Sequence, residues 1–289
     1  MLSSEFFRIA RVNIKVDLHS HSVVSDGVLA PSELAARAHA NGVQLWALTD
    51  HDELSGIAEA RQSATSLGMS YVSGVEVSVT WGRQTIHVLG LNVDETNAGL
   101  NAGLAEIRAG RSVRAREMAD RLTSMGVPDS YAGAMKFAGN PSLISRTHFA
   151  RFLVEQGYCK NMQMVFDKYL GENKPANVQV HWSTLAQAVS WIIAAGGRAA
   201  IAHPGRYDYS PMQFDALFDE FKELGGTAIE VITGSHTSAQ YVQYAGVARR
   251  YGFLASCGSD FHSPTEARLD LGELPSLPSD LTPVWHDWV

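Results

Sequence analysis

Short, strongly apolar runs recur along the chain, separated by stretches in which apolar positions return every three or four residues. The runs at 13–18, 44–49, 71–79, 85–90, 199–202, 228–232 and 253–257 have the length and residue content of strands. Helical periodicity follows Pro31 and Asp52 and occupies 183–195, 212–224 and 237–251. Strand and helix therefore alternate, which predicts an α/β architecture with a mainly parallel sheet or barrel. One hairpin, around Trp81-Gly82-Arg83, interrupts the order.

The stretch 97–180 breaks the alternation, being far longer than an ordinary crossover between two strands. Amphipathic patterns run over 99–125, stopping near Gly126 and Pro128, then over 143–157 and 161–170. The expectation is a barrel domain made from 13–96 and 181–289, with 97–180 as an inserted helical subdomain. No internal repeat or biased tract is present.

Composition narrows the class. A chain of 289 residues, 45% hydrophobic and 18% charged, can bury a large core and is neither disordered nor low-complexity. The net charge of -7 argues against broad adhesion to nucleic acid or anionic membrane. Cys159 and Cys257 stand in unrelated contexts, so neither a disulfide framework nor a cysteine zinc site is expected, and a reducing cytoplasm fits. Glu5, Arg8, Arg11 and Lys15 break up any signal-peptide core, no run approaches the ~18 apolar residues of a membrane span, and no protein partner is evident.

The 11 histidines change the picture most. Asp17-Leu18-His19-Ser20-His21 ends the first strand and Thr49-Asp50-His51-Asp52 the second; Glu76 lies in the third and His87 in the fourth. His203 ends the fifth, and Ser259-Asp260-Phe261-His262 follows the last. Groups at the carboxyl ends of strands converge on one face of a barrel, so six imidazoles and several carboxylates are expected to meet. That mixture suits zinc, manganese or iron better than calcium or magnesium. The His-x-His spacing puts both rings on one side of a strand.

The Asp-Leu-His-x-His, Thr-Asp-His and Gly-Ser-Asp-x-His elements resemble the PHP (polymerase and histidinol phosphatase) superfamily, on both flanks of the insertion. Within it the chain is most similar to the group of bacterial RNase AM and 3',5'-nucleoside bisphosphate phosphatases. The resemblance implies a distorted TIM-like (β/α)7 barrel with a helical insertion. It also implies a metal centre on His19, His21, Asp26, His51, Glu76, His87, His203, Asp260 and His262. Nine ligands are too many for one ion, so three are expected, Mn2+ by preference, with Zn2+ or Fe2+ able to use the same donors. Asp17, Asp50 and Asp52 flank ligands and are expected to orient imidazoles, with Asp52 and His236 as supporting catalytic groups. His39, His181 and His286 match nothing and are expected at the surface or in packing.

Three divalent ions bring more positive charge than Asp26, Glu76 and Asp260 return, so the centre favours a phosphoryl group, attacked by a metal-bound hydroxide. Within the insertion, Arg111 falls in the same helical arc as Leu104, Ile107, Met118 and Leu122, with Arg114 at its edge, while Arg108 and Arg116 are expected as solvated charge. Ile144-Ser145-Arg146-Thr147-His148 resembles the family's substrate-binding Ser-Arg-Pro-His segment, with threonine in place of proline. Arg111, Arg114, Ser145, Arg146 and His148 are thus expected to bind a second phosphate, with an internal ion pair as the competing reading for Arg111 and Arg114. The expected substrate is a nucleoside 3',5'-bisphosphate, losing its 3'-phosphate, or a short 5'-phosphorylated RNA or DNA hydrolysed 5' to 3'. The alternatives are a phosphatase of another small monoester such as histidinol phosphate, or a non-catalytic metal-binding module.

Overall fold

A computed structural model describes residues 14–288; the readings of residues 1–13, including the absence of a signal peptide, lie outside the described residues. The first half of the barrel is β1 (Val16–Asp17), α1 (Pro31–Ala40), β2 (Leu45–Leu48), α2 (Ile57–Ser66), β3 (Ser70–Trp81) and β4 (Gln84–Leu91). There follow α3 (Ala98–Ser124), α4 (Ser130–Met135), α5 (Arg146–Glu155) and α6 (Met162–Val165), the last running into a π-helical turn at Phe166–Leu170. The chain then returns through α7 (Leu185–Ala194), β5 (Arg198–Ile201), α8 (Pro211–Glu223), β6 (Ala228–Thr233), α9 (Ser238–Tyr251) and β7 (Leu254–Gly258).

The seven strands lie in sequence order in one sheet. Pairing is parallel except at β3/β4 and β4/β5, where the hairpin reverses the chain. The sheet curls until its ends meet: the Leu18 amide donates to the Cys257 carbonyl (3.0 Å), Asp260 to His19 (2.8 Å) and His21 to Phe261 (2.9 Å). The result is a nearly closed, distorted seven-stranded α/β barrel. β2 and β6 are buried along their whole length, as continuous apolar runs in a helix-covered sheet must be. Helix starts follow local chemistry: Thr184, Ser210 and Thr237 each form a capping box with a glutamine three residues on.

Two elements differ from the sequence expectation. β1 is two residues long instead of six, because beyond Asp17 the chain leaves regular pairing and turns its side chains inward. α4 is too short for periodicity to announce it. The helices between β4 and β5 enclose an apolar cluster of their own, with Met118, Leu122, Phe149, Leu153 and Leu170 buried together. The N-terminal half of α3 packs instead on the barrel core through Leu100, Leu104 and Ile107. Cys159 and Cys257 are free and buried. Among the described residues no helix is long and apolar enough to cross a membrane.

Candidate metal centre

All nine candidate ligands meet at one end of the barrel. His19 and His21 come from the loop after β1, Asp26 from the turn beyond it, His51 from the end of β2, Glu76 and His87 from β3 and β4, His203 from the end of β5, and Asp260 and His262 from the loop after β7. The donor atoms of eight of them, all but His203, form three overlapping groups, each with all atoms within 4.8 Å of one another. These are His21, Asp26, His51 and His262; His19, His21, Glu76 and Asp260; and His51, Glu76 and His87. Glu76 sits at the middle: Oε2 is 3.4 Å from His19 Nε2 and 3.3 Å from His21 Nε2, while Oε1 is 2.9 Å from His87 Nδ1 and 2.8 Å from His203 Nε2.

The donors converge and satisfy one another only in part, as where His203 Nε2 meets Glu76 Oε1 at 2.8 Å. Asp26 Oδ1, Glu76 Oε2 and His51 Nδ1 are buried and have no hydrogen-bond partner, although the last two lie 2.9 Å apart. Buried polar groups are normally paired, so an unpaired set of imidazole and carboxylate atoms has the chemistry of a ligand shell. The electrostatics agree. Burial opposes charge on His19 and His21, yet Glu230, Glu76 and Asp260 outweigh it for His19, and hydrogen bonds to Asp260 and Glu76 carry His21 up to about 10. Burial likewise works against the carboxylates, but the surrounding histidines hold Asp26, Glu76 and Asp260 well below the usual range. Cations entering the pocket would displace protons from His19 and His21, whereas burial already holds His51 below its ordinary value and His203 at about 3.

A cleft opens over the cluster, lined on the insertion side by Arg111, Arg114, Ser145 and Arg146 and on the barrel side by Arg206 and Trp182. The guanidinium groups of Arg111 and Arg114 both lie 5.0 Å from the Trp182 ring. Arg114 donates from Nε to the Val178 carbonyl (3.1 Å) and forms no close ion pair among the described residues, Glu172 acting on it at longer range. Burial and the neighbouring Arg146 and Arg111 push its pKa well down, against the pull of Glu172. Arg146 has Glu172 at 3.6 Å.

The PHP domain family matches residues 17–234 of this chain. The chain belongs to the PHP family. Asp260 and His262 lie beyond the matched stretch but face the ligands within it. A 3',5'-nucleoside bisphosphate phosphatase of Chromobacterium violaceum is 47% identical over 272 residues, covering 94% of this chain and 95% of that protein. A 5'-3' exoribonuclease of Haemophilus influenzae is 40% identical, covering 94% and 98%. Among solved structures, an amidohydrolase from C. violaceum with bound sulfate and no metal superposes with a TM-score of 0.92, at 47% identity and over 94% and 95% of the two chains.

Several supporting residues of this PHP site act differently from the sequence expectation. None of Asp17, Asp50 and Asp52 bonds an imidazole. Asp17 accepts the amides of His19 (3.4 Å), Ser259 (2.9 Å) and Gly272 (3.0 Å), and burial raises its pKa to about 6. Asp50 accepts from Ser22 and Ser25, bracing the loop that carries Asp26. Asp52 accepts from the Ser78 amide (2.7 Å) and hydroxyl (2.8 Å) and from Arg111. Arg111 thus pairs with Asp52 through one terminal nitrogen, leaves its buried Nε without a partner and still lines the cleft, so an ion pair stands beside the phosphate role expected of it. Arg108 is half-buried, donating to the Asp52 carbonyl (2.6 Å), not solvated; Arg116 is exposed, over Tyr131. His148 does not line the cleft: its Nδ1 accepts the Ser145 amide (3.0 Å) at the start of α5. The Ser145 hydroxyl donates to Asp26 Oδ2 (3.1 Å). His236 uses both ring nitrogens on backbone, accepting from Gly205 (2.9 Å) and donating to Val231 (3.2 Å), so it braces the turn after His203 and lies away from the cleft.

Glu230 and Arg206 escaped the sequence reading. Glu230 accepts from His19 Nδ1 (3.0 Å) and from the His203 amide (2.6 Å), fixing the ring that faces the cluster. Its signal was a lone carboxylate inside the apolar run 228–232. Arg206 donates to Asp260 Oδ2 (2.8 Å) and borders the cleft. The backbone is bent to aim these groups: Asp52, His203 and Asp260 all have positive φ (51°, 27° and 55°). At Gly258 any Cβ would meet His19 Cβ at 2.2 Å, so only glycine lets β7 pass under the first ligand.

Proposed function

We propose that this protein is a divalent-metal phosphoesterase acting on nucleotides. In this reading it removes the 3'-phosphate of nucleoside 3',5'-bisphosphates and hydrolyses short 5'-phosphorylated oligonucleotides from the 5' end. The observation that carries it is the juxtaposition of unpaired imidazole and carboxylate donors with an arginine-lined wall, one cleft serving both. His19, His21, Asp26, His51, Glu76, His87, His203, Asp260 and His262 would hold up to three ions, with manganese preferred. When bound, such ions supply Lewis-acid charge and acidify water for attack on phosphorus.

The residues of the chain do the rest. Arg114 and Arg146 bind the phosphate that does not react, Trp182 presses its face against Arg114, and Glu230 holds His19 in one orientation. Residues 97–180 form the substrate-binding insertion in a barrel of 13–96 and 181–289, and the assembly works in the cytoplasm, where two buried thiols stay reduced. The names of the bisphosphate phosphatase and exoribonuclease relatives support this substrate class. An amine-bearing monoester such as histidinol phosphate is disfavoured, because the acids lining the cleft, Asp26 and Asp260, belong to the ligand cluster. The test is phosphate release in manganese-supplemented buffer from a nucleoside bisphosphate, histidinol phosphate and a 5'-phosphorylated oligonucleotide. Turnover of the first and third supports the proposal; turnover of histidinol phosphate alone, or of none, overturns it.

A further inference from the structure

The ladder between β4 and β5 carries an inserted hydroxyl at the point where two candidate ligands leave it. Val88 pairs with Ile201, so His87 and Ala202 are the next pair along. In an antiparallel ladder such a pair exchanges two backbone hydrogen bonds. Only one is made directly: the Ala202 amide donates to the His87 carbonyl (3.1 Å). In place of the other, the His87 amide donates to the Tyr207 hydroxyl (2.9 Å), which donates in turn to the Ala202 carbonyl (2.8 Å). The phenol thus wedges the strands apart while keeping both backbone groups satisfied.

The two residues flanking this wedge on the site side are His87 and His203. Their rings bring Nδ1 and Nε2 to 3.3 Å of each other, with Glu76 Oε1 2.9 and 2.8 Å away. The Tyr207 ring also meets His203 edge-on, 5.6 Å between centroids. Without the hydroxyl, the ladder would leave an amide and a carbonyl unpaired unless the strands closed directly, and the cost of the unpaired groups favours the closure, which moves His87 relative to Glu76.

We propose that Tyr207 is a positioning residue whose hydroxyl spaces β4 from β5 and so builds the ion position formed by His51, Glu76 and His87, an inference resting on the metal-centre reading above. The test is manganese titration of the full-length protein by calorimetry, with the bound metal counted after gel filtration. Tyr207→Phe should weaken one of three ions 10- to 100-fold, the range typical of lost outer partners, and leave the other two unchanged. Activity should return as manganese is raised. Tyr209→Phe is the control, since it loses a comparable buried bond, from its hydroxyl to the Trp81 carbonyl (2.8 Å), outside the cluster. It should keep all three affinities.

Equal weakening of every ion, or no change in Tyr207→Phe, would overturn the proposal while leaving the metal centre standing. A wild-type chain that binds no manganese would overturn both. Should Tyr207→Phe fail to fold, hydrogen exchange on the wild-type protein decides. The His87 amide should slow at least tenfold when the last ion binds, and an unaltered rate would refute the coupling.

Discussion

His19 Nε2 lies 3.4 Å from Asp260 Oδ1, each residue contributed by a loop at the seam of the barrel, and neither side chain fills the apolar core. His19→Ala and Asp260→Ala should therefore abolish turnover and reduce bound metal while leaving the circular dichroism spectrum near native. Wild-type turnover of either variant in metal-limited buffer would remove that residue from the ligand set. Arg114 has a different expected signature. A charge-assisted contact contributes about 1.5–3 kcal/mol, so Arg114→Ala should lower kcat/KM for a 3',5'-bisphosphate roughly ten- to a hundredfold and barely alter hydrolysis of an aryl phosphate. Equal losses on both substrates would place Arg114 in the fold or the metal centre. At this scale most candidate ligands were legible because strand ends are legible: His19, His21, His51, His203, Asp260 and His262 sit at or just beyond the end of an apolar run, whereas Glu76 and His87 lie inside strands and Asp26 in a turn that only the family resemblance marks. The roles of Asp52 and His236 were not legible, since each is set by a partner distant in sequence, Arg111 for Asp52 and Gly205 for His236; His148 bonds the Ser145 amide three residues away, a local helix cap that the resemblance to a substrate-binding segment obscured.

Among the elements, α3 is the one that joins two cores, and the buried Asp52–Arg111 pair pins it to the loop carrying His51. Removing one member of a buried ion pair strands the other charge and costs about 3–5 kcal/mol. Arg111→Ala should accordingly lower the denaturation midpoint and depress both substrates alike, in contrast to Arg114→Ala; a stable variant with a loss confined to the bisphosphate would restore Arg111 as a phosphate ligand. Helical periodicity had put Arg111 on the buried arc with Leu104, Ile107, Met118 and Leu122, and all five are buried. Periodicity reports which side of a helix is buried but not what meets it there, which is why an internal carboxylate and a bound phosphate looked alike. The shortness of β1 was hidden for a related reason: the run 13–18 is apolar enough for a strand, but the barrel needs the chain to bend after Asp17.

For the whole molecule, stability on the acid side should depend on His236. Burial lowers its pKa from 6.5 to about 4, with Arg268 and Arg206 adding to the fall. The unfolded chain then binds the proton more readily, so the contribution is complete above pH 6.5 and disappears as pH falls through 4. Its full size is on the order of 3 kcal/mol, with about 2 kcal/mol lost between pH 7.5 and 5. In His236→Gln, which keeps an acceptor for the Gly205 amide, chemical denaturation with chelator present should show a correspondingly smaller loss of stability over that interval. Identical pH profiles would mean that His236 titrates normally. The α/β order and the helical interruption were visible in the sequence because both rest on local periodicity; periodicity left sheet and barrel open, and closure was expected from the family resemblance, because it rests on hydrogen bonds between opposite ends of the chain.

That closure has a consequence for synthesis. The seam is stitched by the His19, His21, Asp260 and Phe261 backbones, so the same few residues shut the barrel and assemble the ligands. While β7 is still inside the ribosome, the emerging chain has a sheet with two open edges and His19 facing neither Gly258 nor Asp260. The donor groups that include Asp260 or His262 thus belong to the finished polypeptide, whereas His51, Glu76 and His87 come from strands made early. A circular permutant opened at the β3–β4 hairpin, with the old termini joined by a flexible linker, would reverse the schedule and synthesise the seam as one continuous stretch.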